Sequence, residues 1–182
     1  MVYQAYNPAI ARFAVENQCL GGPGFSYNRM SWIKPNFLWM MYRCGWASKE
    51  NQERVLALWL DKTTFEDILN NAAFSTFAAG NYETHDAWRH DLATKKVRLQ
   101  WDPDHHPSGV KIARRAIQLG LKGDVLKQFG RQQITLVEDV TDFVREQKRH
   151  VDNRQLTQLL VPVERIYTLA DQELAQQLGV AQ

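Results

Sequence analysis

Two cysteines, Cys19 and Cys44, are all that this chain of 182 residues contains, and they form neither a CxxC pair nor a disulfide framework. Their scarcity excludes a zinc ribbon and a disulfide-stapled scaffold. It agrees with a reducing compartment, so the cytoplasm is the expected location and both thiols are expected in the core. No apolar run approaches the roughly eighteen residues of a membrane-spanning helix, and no basic-then-apolar leader opens the chain; no membrane partner is expected. Charge of one sign is also lacking. With Lys+Arg 22 against Asp+Glu 20 the net charge is +2, too small to make the whole surface a footprint for nucleic acid, so any such site has to be local. Neither GxGxxG, a Walker loop, a nucleophile elbow nor HExxH occurs, which removes the commonest nucleotide-binding and hydrolase classes.

What is present is an ordinary globular composition, 45% hydrophobic and 23% charged, with enough length for one domain over 1–182. Aromatics are unevenly spread: of twenty Phe, Trp and Tyr residues, ten fall between Tyr3 and Trp46, which calls for either a core or a stacking surface there. Val2 to Tyr6 predicts a strand. Asn7-Pro8 then supplies an N-cap and a proline at the first helical position, and Gly21-Gly22-Pro23-Gly24 marks a loop. Phe25 to Trp46 reads as two extended segments separated near Pro35-Asn36, with helix as the alternative for the second.

Arg54 to Leu60 reads as a strand, and Thr63 with Glu66 as the capping box of a helix. Thr84–Ala93 reads as helix, Val97–Trp101 as strand, 102–107 as a turn-rich loop and Val110–Leu119 as helix. Ile134–Val137 and Leu159–Tyr167 are expected strands; the segments from about Asp139 and Asp171 are expected helices. Without strict βαβ alternation, this order predicts an α+β fold: a mixed or mostly antiparallel sheet with flanking helices.

Four constellations have the residue types for chemistry. Between Arg29 and Arg43, cations alternate with aromatics; in an extended chain Trp32 and Lys34 share one face, and Arg29, Ser31 and Ile33 the other. An indole that stacks on a base beside a cation that neutralises phosphate suits a nucleotide, while burial of the tryptophans in the core is the competing expectation. Asp102, Asp104, His105 and His106 are ligand types without ligand spacing, so a structural turn is expected and no metal site. Arg114 and Arg115 lie within the expected helix, as an anion contact or a solvated face. Glu164, on the last expected strand, shares a face with Leu160 and Pro162; it either enters a site, where burial would tune it for proton transfer, or pairs with a cation.

The words Val-Tyr-Gln-Ala-Tyr-Asn at 2–7, Arg-Met-Ser-Trp-Ile-Lys-Pro-Asn-Phe-Leu-Trp-Met-Met-Tyr-Arg at 29–43, Trp-Asp-Pro-Asp-His at 101–105, Arg-Arg-Ala-Ile-Gln-Leu-Gly-Leu at 114–121 and Pro-Val-Glu-Arg-Ile-Tyr at 162–167 resemble the family known as domain of unknown function 4291. The similarity runs through nearly the whole chain. The family pattern carries a short segment before the first of these words, so any functional residue of that segment is expected to be absent here.

The order of a first strand, a capped helix, an aromatic and cationic segment and a late Leu-Leu-Val-Pro-Val-Glu-Arg-Ile strand also resembles ADP-ribosyltransferase folds. That resemblance implies NAD as cofactor. Gln4 or Tyr6 would hold the ribose, Trp32 or Tyr42 would pack on nicotinamide, and Glu164 would stabilise the oxocarbenium-like centre as the acceptor attacks, the acceptor being protein or nucleic acid. The first strand lacks the histidine or arginine expected there, and Glu164 follows the proline where several such families place the acid earlier. The alternative expectation is a non-catalytic nucleotide or nucleic-acid module built on Trp32, Lys34, Arg43 and Arg114; a protein-interaction domain is the third.

Overall fold

Five residues at the start of the chain set up the architecture, because Val2–Tyr6 forms a strand, β1, with its alternate side chains in two different cores. In the computed structural model, which describes residues 1–80 and 82–180, β1 is followed by α1 (Pro8–Asn17), β2 (Ser31–Ile33), α2 (Phe37–Cys44), β3 (Arg54–Leu60), α3 (Lys62–Asn70) and β4 (Ala72–Phe74). Then come α4 (His85–Thr94), β5 (Val97–His105), β6 (Lys111–Leu121), α5 (Asp124–Gln128), β7 (Ile134–Asp139), α6 (Thr141–Asp152) and α7 (Gln172–Leu178). The fold is α+β, with two sheets rather than one. The first has the order β1-β3-β7 and is antiparallel; the second has the order β2-β6-β5-β4, in which only the β4–β5 pair is parallel. A backbone bridge joins them: the Tyr3 amide donates to the Lys34 carbonyl at 2.7 Å and the Lys34 amide to the Tyr3 carbonyl at 3.1 Å.

The central strand β3, Arg-Val-Leu-Ala-Leu-Trp-Leu, is apolar on both faces because both are covered. Leu56 and Leu58, with Val2 and Tyr6 of β1, join a core that includes Ile10, Ala11 and Ala14 of α1 and Leu99, Leu119 and Leu121 of the second sheet. Val55 and Ala57, with Tyr3 and Ala5, join the other core, built with Phe37, Met40, Met41 and Cys44 of α2 and Val144 of α6. Gln4 is the polar interruption on the first of these faces. Helix α1 starts as expected, since the Asn7 side chain accepts from the Ile10 amide at 2.9 Å and Pro8 follows. At its end Gln18 adopts the left-handed conformation, and its amide group exchanges two hydrogen bonds with the Val137 backbone, at 2.9 and 3.1 Å. A side chain thereby pairs part of the open edge of β7.

Several expectations are corrected. The segment expected as helix over Val110–Leu119 is strand β6, paired with β5 from Arg98↔Gly120 to His105↔Lys111; long-range backbone pairing outweighs a local apolar spacing compatible with either period. Arg114 and Arg115 therefore point to opposite faces of a strand. The expected loop 102–107 is mostly β5, which runs to His105 and accommodates Pro103 at a register shift. Residues 159–167 form no strand: among the described residues no strand pairs with them, Pro162 offers no amide, and Val163 and Ile166 are 90% and 83% exposed. The second half of Phe25–Trp46 is helix α2. Helix α3 begins at Lys62 without the Thr63–Glu66 box, and β4 was not expected at all. No helix among the described residues is long and apolar enough to cross a membrane.

Candidate functional site

Where β1 and β2 approach each other beside the bridge, a cleft of about 440 Å³ opens, lined by residues from β1, the glycine-rich loop, β2, α2 and the 51–52 turn, with Gln118 from β6. Six of the residues singled out by sequence line it together: Gln4, Tyr6, Arg29, Trp32, Lys34 and Arg43. Strand β1 contributes Gln4 and Tyr6, two apart and hence on one face. Both reach the Ser31 hydroxyl, Gln4 donating from Nε2 at 3.2 Å and the Tyr6 hydroxyl lying 3.0 Å away. This contact fixes β2 against β1 across the cleft wall. Burial pushes the Tyr6 phenol up to about 12, against the hydrogen bonds from Ser31 and Gln4, so it stays protonated at neutral pH.

Trp32 is half-buried and pairs with Gly120 on β6. A Cβ at Gly120 would lie 2.8 Å from the Met30 sulfur and 3.1 Å from the Trp32 indole. The glycine is what lets Met30 and Trp32 lie against the β6 backbone. Arg29 and Arg43 are exposed, Arg43 touching Gln52 at 3.4 Å. Lys34 differs from both: it is 2% exposed, and its Nζ donates to the Trp32 carbonyl at 2.8 Å and lies 5.5 Å from the Trp39 ring centre. Desolvation first, then the neighbouring Arg43 guanidinium, pulls its ammonium down to about 7. Among the described residues, no aspartate or glutamate lines the cleft.

Three of the sequence-derived residues, Tyr42, Glu164 and Arg114, lie elsewhere. Tyr42 is exposed and stacks on the buried His105 ring, centroids 3.6 Å apart and planes at 11°, outside the cleft lining. Glu164 accepts from the Phe37 amide at 2.6 Å, satisfying an orphan donor in the first turn of α2, and lies 3.6 Å from Arg114. Burial raises its carboxyl above the ordinary carboxylate range against the pull of that amide and that guanidinium. The second guanidinium contact, to the fully buried Asp104 at 2.5 Å, makes Arg114 the centre of an Asp104–Arg114–Glu164 network. Of the remaining residues of the Asp102–His106 stretch, Asp102 accepts from Gln100 and Gln118 at 2.8 and 2.7 Å, and His106 bonds Ser108.

Sequence reasoning overlooked Ser31 and Gln118. Ser31 carried a signal, since it faces the opposite side of β2 from Trp32. Gln118 became visible only once 111–121 proved to be a strand.

Fold and site together define an α+β protein with a cationic and aromatic cleft where its two sheets meet. The chain belongs to the family described as Domain of unknown function (DUF4291), whose model matches residues 1–167. No curated protein and no solved structure matches it.

Proposed function

We propose that this protein binds a nucleotide in the cleft between β1 and β2. One observation carries the proposal: Arg29 and Arg43 line a cleft that also presents Lys34 and Trp32 and, among the described residues, no aspartate or glutamate. Guanidinium groups bind phosphate through charge-assisted hydrogen bonds. The partly exposed indole supplies a face for a base, and Gln4, Asn7, Ser26 and Gln52 offer polar contacts for a sugar. A volume of about 440 Å³ falls in the usual range of small-molecule sites.

NAD is the nucleotide to test first. Gln4, Tyr6 and Trp32, which the resemblance to ADP-ribosyltransferases assigns to ribose and nicotinamide, line the same cleft. The acid of that set, Glu164, is engaged at the start of α2 and with Arg114, and for this reason the proposal is binding, with transfer as a second reading. Thermal unfolding with NAD, ADP-ribose, ATP, single-stranded DNA and RNA at two salt concentrations tests it. A nucleotide at a hundred times its dissociation constant adds about 2.7 kcal/mol, a shift of several degrees for a domain of this size. The expected result is a shift with a nucleotide that Trp32→Ala removes and Glu164→Gln retains. Loss of the NAD shift in Glu164→Gln would favour the transferase. A shift with nucleic acid alone, fading at high salt, would replace the nucleotide by a strand.

A further inference from the structure

We infer that Lys34 is a reactive amine in the cleft, and that the ligand class it acts on is a phosphorylated aldehyde: the open-chain C1 aldehyde of a ribose phosphate with a free anomeric hydroxyl. The inference rests on the cleft being a site for phosphate esters. A lysine side chain is seldom buried without a counter-charge, because desolvating an ammonium is costly. Lys34 is 2% exposed, and among the described residues it forms no ion pair; its one hydrogen-bond acceptor is a neutral carbonyl, that of Trp32. It nevertheless lines the cleft.

The charged and titratable groups around it come from two elements. Arg43 on α2, a permanent cation, opposes its protonation, whereas Cys44 on the same helix and Asp102 on β5 favour it, and burial outweighs both. Asp102 is itself held by Gln100 and Gln118, so its charge is shared before it reaches the amine. Desolvation beside a second cation is a known way to keep a lysine amine neutral and nucleophilic at neutral pH. A neutral amine that donates one N–H to the Trp32 carbonyl still holds a lone pair for attack.

The step balances without a redox partner. The nitrogen lone pair attacks the carbonyl carbon, the carbonyl oxygen takes a proton to give a carbinolamine, and loss of one water leaves an imine between Lys34 and C1 of the sugar. Arg29 and Arg43 are the permanent cations available for the phosphate, so the amine need not carry charge for the ligand to bind.

Reductive trapping tests this. Ribose 5-phosphate, or unphosphorylated ribose as control, is incubated with the protein and cyanoborohydride between pH 6 and 9, and the modified lysines are mapped by peptide mass. Lys34 is expected to be modified first, with labelling half-maximal near pH 7 and at least tenfold faster with the phosphorylated sugar. Lys34→Met, which fills the site without a charge, is expected to lose this adduct while keeping the slow background on surface lysines. Adducts spread evenly over surface lysines, with Lys34 unmodified or reacting only above pH 9, would overturn the inference. Tryptophan fluorescence titrated with ATP on the same samples separates the two claims. Quenching with an inert Lys34 leaves the nucleotide site standing and removes the amine chemistry; a labelled Lys34 without quenching keeps the reactive amine and removes the nucleotide.

Discussion

Lys34 is the residue at which chemistry and stability meet. Its folded ammonium titrates near 7, against 10.5 when exposed, because burial disfavours the charged form. Between these values the unfolded chain holds a proton that the folded chain has released, so stability should rise with pH across that window. Below about 7 the folded state carries the buried charge and its full penalty. Lys34→Met removes this dependence. Urea unfolding of both proteins from pH 6 to 10 should find the variant more stable at the acid end, the difference shrinking by about 1.4 kcal/mol per pH unit above 7. A difference that does not change with pH would place the ammonium in contact with water or with an acid. Glu164 illustrates the opposite situation, a carboxylate whose surroundings explain it fully: it caps α2 and pairs with Arg114. Both residues looked alike in the sequence, as charges within apolar words. Only their partners, which for Glu164 are the Phe37 amide and the Arg114 guanidinium, tell a structural group from an unpaired one.

Strands were harder to read than helices, and the reason lies in what holds each. Helix α1 carries its own signals, the Asn7 cap and Pro8, and β1 and β3 have dense apolar runs. Strand β6 carries none of these. Its first five residues are exposed, so no alternation marks them, and its hydrogen bonds run to β5 and β2. The reverse error, a strand expected over 159–167, arose from apolar residues that the fold leaves in solvent. Misreading β6 also hid Gly120, on which the site depends. Gly120→Ala is expected to push Met30 and Trp32 off the β6 backbone, lowering stability by about 1–3 kcal/mol and changing tryptophan emission. An unchanged spectrum and unchanged unfolding would show that the indole does not rest on this strand.

At the scale of the molecule, the first sheet divides the two cores between its faces, and the Tyr3–Lys34 bridge joins it to the second sheet beside a cleft. Much of that cleft was legible beforehand: Gln4, Tyr6, Arg29, Trp32, Lys34 and Arg43 all lie near the start of the chain, on segments whose residue types already pointed to a flat, anionic ligand. The arrangement of the sheets was not legible, since it depends on pairings between distant segments. It is also what separates the cleft from Glu164, which sequence order alone had grouped with it. Calorimetric titration of ATP into the wild type and Trp32→Ala measures directly whether the cleft holds a nucleotide. Saturable one-site binding is expected, stronger at low salt and weakened by about 1–3 kcal/mol when the indole is removed. No binding heat at either salt concentration, or equal affinity in the two proteins, would contradict it.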